Sequence, residues 1–200
     1  MRDLITHIIP NFNMKIAILG TRGIPNLYGG FEQFAKHLAL GLKKYGFDIT
    51  VYSPHNHTNK NPLWKGIRII HIFDPEYLIG TAGQFIYDLF CILNSRKHNF
   101  DIIYNLGYSS SSIWFFLLPK KPVRVTNMDG LEWKRAKYSK PVRDFLRIAE
   151  KLAVKKSNLL IADSKSIKQY LLDSYDVEST YIPYGAYPCS NYNINIIKKF

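Results

Sequence analysis

The chain has 200 residues, of which 46% are hydrophobic and 14% aromatic, enough apolar material to bury the core of one globular domain. This composition excludes a largely disordered chain. Lysine and arginine number 27 against 15 aspartates and glutamates, and the resulting net charge of +12 indicates an acidic partner: a phosphate-bearing ligand, an anionic membrane surface or nucleic acid.

Short apolar runs alternate with helix-like patterns along the chain. The run 14–20 predicts a buried parallel strand, and apolar residues at helical spacing over 31–45 predict the helix that follows it. Further strands are predicted at 49–53, 67–73, 101–105, 123–128, 158–162 and 180–182. Further helical segments are predicted at 78–96, 111–118, 141–156 and 164–175, and a polar loop at 55–65. Because parallel strands need crossover helices, the alternation predicts a doubly wound, mostly parallel, Rossmann-like α/β sheet.

The same pattern predicts the domain limits. Residues 1–13 are expected to form an N-terminal extension, 14–187 the domain, and 188–200, rich in Asn, Ile and Lys without periodicity, an irregular tail. The two cysteines, Cys91 and Cys189, are too far apart in sequence to indicate a disulfide framework or a zinc site. No segment is apolar over enough residues to span a bilayer, and the start lacks the pattern of a secretory signal, so a cytoplasmic location is expected.

The loop after the first predicted strand is rich in glycine. Gly20, Gly23, Gly29 and Gly30 fall within eleven residues, ahead of a helix whose free N–H groups favour an anion. Arg22 is a candidate partner for a phosphate or a substrate carboxylate, with a solvated loop arginine as the alternative. The spacing matches neither the dinucleotide-binding pattern nor the phosphate-binding loop of NTPases. A phosphate or diphosphate ligand is therefore predicted, with tight turns and helix packing as the alternative role of the glycines.

A second group of polar residues follows the strand predicted at 123–128, at the sheet edge where such folds bind ligands. It comprises Asp129, Glu132, Trp133, Lys134 and Arg135. Carboxylates accept hydrogen bonds from sugar hydroxyls, so this mixture suits sugar recognition, and Asp129 is the predicted catalytic base. Core packing is the alternative for Trp133, and an ion pair with Lys134 or Arg135 is the alternative for Glu132. Glu32, in the first turn of the first helix, is favoured there by the helix dipole alone.

The excess positive charge is local. Between Lys120 and Lys156 the chain has twelve basic and four acidic residues. The aromatic residues in or near the same stretch are Trp114, Phe115, Phe116, Trp133 and Tyr138. A surface resting on anionic lipid is predicted, where each basic residue contributes about 1 kcal/mol; a solvated helix face is the alternative. His55 and His57 lack neighbouring metal ligands and are interpreted as incidental, so no metal is expected.

Several ordered motifs resemble those of a known family. The opening of the predicted domain, with GTRGIP and YGGFE, and the later DGLEWKR are similar to family 4 glycosyltransferases, in the bacterial rhamnosyltransferase-like subgroup that builds capsule and other surface polysaccharides. IADS at 161–164 and YIPYGA at 181–186 match the strand-end serine motif of that family and the segment that closes its first domain. The resemblance covers residues 14–187.

The resemblance implies the N-terminal, acceptor-side half of a GT-B fold, in which two Rossmann-like domains face a cleft. It also implies transfer of a hexose that is metal-independent, usually retaining and without a cofactor. The sugar implied first is rhamnose, with dTDP-rhamnose as the donor. The acceptor would be an undecaprenyl-diphosphate-linked sugar at the inner face of the cell membrane. Gly29 and Gly30 would approach the donor diphosphate. Asp129 would lie beside the acceptor, with Glu32 and the 132–135 segment as acceptor-binding residues.

The resemblance further implies a C-terminal donor domain with a Glu-x7-Glu pair, yet no two glutamates in this chain are eight residues apart. The donor domain is therefore expected to be absent and the chain to be a truncated form. The alternative is a non-catalytic acceptor-binding or membrane-binding subunit that works with a separate donor-binding chain. A nucleic-acid-binding protein ranks last, because no recognition motif accompanies the charge.

Overall fold

The fold is built on an eight-stranded sheet, described in a computed structural model over residues 14–27 and 29–185. The strands are β1 (Lys15–Leu19), β2 (Asp48–Pro54), β3 (Leu63–Trp64), β4 (Ile67–Ile72), β5 (Ile102–Leu106), β6 (Val123–Met128), β7 (Leu159–Ala162) and β8 (Thr180–Tyr181). Their order is β3-β4-β2-β1-β5-β6-β7-β8, and all neighbours are parallel except β3 and β4. The predicted α/β, doubly wound sheet is confirmed. The predicted extension 1–13 and tail 188–200, with Cys189, lie outside the described residues.

Helices connect the parallel strands. The α-helices of the described residues are α1 (Gly30–Lys44), α2 (Glu76–Ile79), α3 (Ala82–Ser95), α4 (Lys140–Lys156) and α5 (Lys165–Tyr175). Two 3₁₀ helices add Ser112–Leu117 and Glu132–Lys134. Ser164 caps α5, its hydroxyl accepting a hydrogen bond from the backbone N–H of Ile167 at 3.2 Å. The strand-end serine of the IADS motif therefore has a structural role.

Three details differ from the sequence prediction. The helix predicted at 78–96 begins earlier and is divided, because the chain leaves the helical conformation at Gly80 (φ 64°, ψ −150°). The helical segment predicted at 111–118 is 3₁₀, and it ends where Pro119 favours an extended conformation at Leu118. The predicted polar loop 55–65 contains β3, which pairs with β4 across a two-residue turn. Because β3 has only two residues, its sequence is too short to show the periodicity of a strand.

The two faces of the sheet are covered differently. Ile16 and Ile18 of β1 face the layer formed by α1, and Ala17 and Leu19 face the layer formed by α3, α4, α5 and the 3₁₀ helix Ser112–Leu117. Because both faces are buried, the central strands read as continuous apolar runs rather than as an alternation. The direction of winding reverses between β1 and β5, which opens a crevice at the carboxyl ends of these strands.

Candidate functional site

A cavity of about 420 Å³ lies at the carboxyl ends of β1, β5 and β6, where the winding reverses. Its volume is within the range of about 300–1,000 Å³ that is usual for small-molecule sites. The wall combines the loops after β1, β5 and β6 with the start of α1 and with side chains from α2 and α3. This position is the one expected for the ligand site of a doubly wound sheet.

Gly20 allows the first of these loops to form. Its φ is 78°, and a Cβ at this position would overlap the backbone carbonyl of Leu106 at the end of β5. The loop after β1 therefore crosses the end of β5 so closely that the two backbones are in contact, and only glycine permits this approach. Thr21 and Arg22 follow directly and line the cavity.

The cavity wall is acidic. Of the described residues, six carboxylates and two cations line it: Glu32, Asp74, Glu76, Asp88, Asp129 and Glu132, with Arg22 and Arg135. Both arginines are paired with a glutamate of the same wall. Arg22 lies 2.8 Å from Glu76, and Arg135 lies 2.7 Å from Glu132. The carboxylates therefore outnumber the cations, and the site suits a ligand rich in hydroxyl donors better than an anion.

Asp129 directly follows β6 and is half-buried in this wall. Its pKa is raised from 3.8 to about 6, chiefly by burial and to a smaller extent by the neighbouring Glu132 carboxylate, whereas Arg135 opposes the change. The Tyr108 hydroxyl donates to the backbone carbonyl of Gly130 at 2.8 Å, which holds the chain directly after Asp129. A carboxylate with a pKa near 6 is ionised at neutral pH and can take a proton from a hydroxyl group.

Asp88 of α3 is a site residue that the sequence analysis did not identify. It is 7% exposed, and the hydroxyl of Ser110 donates to its Oδ2 at 2.6 Å. Burial raises the pKa of Asp88 to about 7, and the hydrogen bond from Ser110 opposes this effect. The sequence did contain an indication of this role, because Asp88 interrupts the apolar stretch 78–93. An aspartate is rarely buried in such a helix unless it has a hydrogen-bond partner or a function.

The structure brings together six of the eleven sequence-predicted site residues in the cavity wall: Gly20, Arg22, Glu32, Asp129, Glu132 and Arg135. Gly23 lies instead against Ser53 and His57. Gly29 caps α1 with φ 104°, where a Cβ would overlap the Glu32 carboxylate, and Gly30 lines a separate groove with Phe34 and Tyr184.

Trp133 and Lys134 also lie outside the cavity. The Trp133 indole N–H donates to Glu150 Oε2 at 3.1 Å, and the Lys134 ammonium lies 5.3 Å from the centre of the Trp133 ring. Glu150, which is 1% exposed, also accepts hydrogen bonds from Tyr170 and Tyr175, both at 2.6 Å. Sequence analysis missed this carboxylate, although it falls on the buried face of α4 together with the apolar residues there.

The predicted basic and aromatic surface is present only in part. Phe115 is fully buried in the core, and the Trp114 indole N–H donates to the backbone carbonyl of Phe85. Phe116 is 65% exposed. Within the described part of the chain, no helix combines the length and the apolar character needed to cross a bilayer.

His55 and His57 serve the loop after β2. His55 Nδ1 accepts from the backbone N–H of Asp74 at 3.0 Å, and His57 Nδ1 accepts from that of Asn59 at 3.1 Å. Over residues 14–27 and 29–185, no group of three or more His, Cys, Asp and Glu residues is arranged to hold a metal ion.

Solved structures share this architecture. Sucrose-phosphate synthase from Thermosynechococcus elongatus matches with a TM-score of 0.63 and 16% identity, over 86% of this chain and 48% of that one. A second, shorter structure of the same protein matches with a TM-score of 0.52 and 13% identity, over 86% of this chain and 90% of that one. The chain thus spans about half the length of the first structure. The likeness establishes the fold and agrees with the predicted Rossmann-like half of a GT-B fold.

Sequence comparison places the chain in a family. No curated protein matches it. A family model described as "Domain of unknown function (DUF1972)" matches residues 13–187, a range that includes all the described strands and helices. The chain therefore belongs to the DUF1972 family.

Proposed function

We propose that this chain is the acceptor-holding domain of a glycosyltransferase. The observation that carries the proposal is the placement of Asp129 and Glu132 in an acidic cavity at the winding reversal of a Rossmann-like sheet. The shared fold with sucrose-phosphate synthase supports it. The sequence resemblance to family 4 glycosyltransferases supports it independently, because its motifs supply residues of the cavity wall.

The chemistry of the cavity suits a sugar acceptor. Carboxylate oxygens accept hydrogen bonds from sugar hydroxyls, and six carboxyl groups converge here from four parts of the chain. In this proposal Asp129 accepts a hydrogen bond from the reacting hydroxyl and takes its proton as the hydroxyl oxygen bonds to the anomeric carbon of the donor sugar. The bond between that carbon and the diphosphate oxygen breaks, and dTDP leaves from the face on which the hydroxyl enters. Glu132 and Glu32 orient the ring, and the ion pairs of Arg22 and Arg135 hold two of the glutamates in place.

The donor would approach the start of α1. Gly29 precedes and Gly30 begins this 15-residue helix, whose N-terminus has no side-chain cap and so offers N–H groups to a diphosphate. We assign dTDP-rhamnose as the donor on the sequence resemblance, with retaining, metal-independent transfer that needs no cofactor. The rest of the donor site would come from a second domain or from a separate chain.

The acceptor in this proposal is an undecaprenyl-diphosphate-linked sugar used in surface polysaccharide synthesis, so the protein would work at the inner face of the membrane. Two exposed features near the cavity support this location. Helix α2 carries Tyr77, Leu78 and Ile79, which are 61%, 65% and 51% exposed. Helix α4 carries exposed lysines and arginines that favour anionic lipid.

Transfer of labelled rhamnose from dTDP-rhamnose to a polyprenyl-diphosphate-linked sugar, measured with the wild-type chain and with Asp129→Asn, tests the proposal. We expect the variant to lose about 10²- to 10⁴-fold in rate, the usual contribution of a general base. Transfer that needs a second, donor-binding chain would identify this protein as the acceptor-binding subunit. Equal measurable rates for the two proteins, with the donor-binding chain added where transfer requires it, would exclude Asp129 as the base.

A further inference from the structure

A second pocket, of about 330 Å³, lies between the 3₁₀ turn Glu132–Lys134 and the first two turns of α4. It is lined by Trp133, Lys134, Lys140, Arg143, Asp144 and Arg147. The same short segment thus contributes to two sites, because Glu132 and Arg135 line the acidic cavity whereas Trp133 and Lys134 line this pocket.

The charge of this pocket is opposite to that of the cavity. Four cations line it with one carboxylate, Asp144, which lies 3.9 Å from Arg147. Within the described chain, Lys134, Lys140 and Arg143 form no ion pair. All three are exposed, so their charges are available to a ligand.

Two of these cations lie over the ring of Trp133. The Arg147 guanidinium lies 4.3 Å from the centre of the Trp133 ring, and the Lys134 ammonium lies 5.3 Å from it. Trp133 is itself fixed by its hydrogen bond to the buried Glu150. The pocket lies at the N-terminus of a 17-residue helix, whose dipole adds positive potential. Cations that only keep a protein soluble need neither an aromatic ring beside them nor a buried carboxylate that fixes this ring.

We propose that this pocket binds a phosphate or diphosphate group. Arginine and lysine are the usual partners of phosphate oxygens, and an arginine can bind two of them at once. This inference rests on the proposed function and gives the charged group of its acceptor a binding site: the sugar ring would lie in the acidic cavity and the phosphate or diphosphate group in this pocket. The turn Glu132–Lys134 and Arg135 connect the two sites.

Calorimetric titration of the chain with inorganic pyrophosphate tests the pocket. The double variant Lys140→Gln/Arg143→Gln removes two cations of the pocket, and Lys151→Gln/Lys155→Gln removes two exposed cations farther along the same helix as the matched control. We expect saturable binding by wild type, a loss of affinity of about tenfold or more in the pocket variant, and a much smaller change in the control. In parallel, the amide and indole N–H signals of Trp133 in NMR spectra should shift on addition of pyrophosphate.

Co-sedimentation with phosphatidylcholine vesicles, with and without phosphatidylglycerol, distinguishes the source of the phosphate. If the pocket variant loses affinity for pyrophosphate and the control variant does not, the site accepts a soluble or substrate-borne diphosphate. If the pocket variant differs from the control only in binding to anionic vesicles, the site accepts a lipid headgroup. Equal losses in the two double variants, or no binding to either probe, would overturn the proposal. Asp129→Asn should bind pyrophosphate normally, so failure of the proposed sugar chemistry is separable from failure of this site.

Discussion

The indole N–H of Trp133 donates a hydrogen bond to the buried carboxylate of Glu150, and this bond fixes the segment that carries the candidate catalytic residue. Tyr170 and Tyr175 of α5 donate to the other oxygen of the same carboxylate. Glu150 thereby joins α4, α5 and the loop after β6. These three donors are uncharged, and within the described residues Glu150 forms no ion pair.

Glu150→Leu should destabilise the fold strongly. The substitution leaves the part-buried donors of Trp133, Tyr170 and Tyr175 without their acceptor, each at a cost of about 1–3 kcal/mol, so we expect a loss of about 3–5 kcal/mol in the free energy of unfolding. Urea denaturation measures this change. The exposed Glu178→Gln is the control and should stay within about 0.5 kcal/mol of wild type. Similar values for the two variants would contradict the structural role of Glu150.

Asp129→Asn should become relatively more stable as the pH rises. The folded-state pKa of Asp129 is about 6, above its ordinary value of 3.8, so the folded chain holds this proton more tightly than the unfolded chain. The contribution of the protonated carboxyl is present at low pH and is lost as the pH rises through 6. We expect the difference in melting temperature, variant minus wild type, to be small near pH 4 and to grow in favour of the variant towards pH 7. A difference that stays constant or reverses would contradict the burial of Asp129.

Gly20→Ala should be much more destabilising than Gly46→Ala. Both glycines have positive φ, 78° and 88°, so both substitutions introduce backbone strain of about 1 kcal/mol. A Cβ at Gly20 would also overlap the backbone of Leu106, whereas nothing lies within 4 Å of a Cβ at Gly46. Chemical denaturation of both variants measures the excess, which we expect to reach about 2 kcal/mol or more. Equal losses would show that the loop after β1 does not cross β5 at this distance.

Leu78→Ser/Ile79→Ser should weaken binding to anionic vesicles. These side chains are 65% and 51% exposed at the tip of α2, close to Glu76 of the cavity wall, and their burial in a bilayer interface would contribute to membrane affinity. Leu63→Ser, which changes a 61% exposed leucine on the edge strand β3, is the control. Vesicle co-sedimentation should fall in the α2 variant and remain near wild type in the control. Unchanged sedimentation of the α2 variant would show that Leu78 and Ile79 do not contact the membrane.

Patterns within single segments were sufficient to predict most of the fold. The continuous apolar strands and the periodic helices gave the sheet, and Asp129 was identified because it directly follows a buried strand. Asp88 and Glu150 were missed, because their importance depends on contacts with distant residues. Ser110 lies 22 positions from Asp88, and Trp133 lies 17 positions from Glu150. The local pattern places both carboxylates among apolar residues of their helices, but it does not show which distant groups they bind.

Trp133 and Lys134 show a second limit of prediction from sequence. They are neighbours of Glu132 and Arg135 in sequence, so the sequence analysis assigned all four to one sugar site. The 3₁₀ turn directs them to two pockets of opposite charge, since successive residues of a tight helical turn point in different directions.

Saturation-transfer NMR with a panel of simple methyl glycosides, including methyl rhamnoside and methyl glucoside, tests the central claim most directly. We expect ring-proton signals with the wild-type chain, their loss in Asp129→Leu/Glu132→Leu, and their retention in Lys151→Gln, whose side chain lies outside the cavity wall. That result would establish the acidic cavity as a sugar site. Absence of signal for every glycoside, or signals that persist undiminished in the cavity variant, would contradict the assignment of this domain as the acceptor-holding part of a glycosyltransferase.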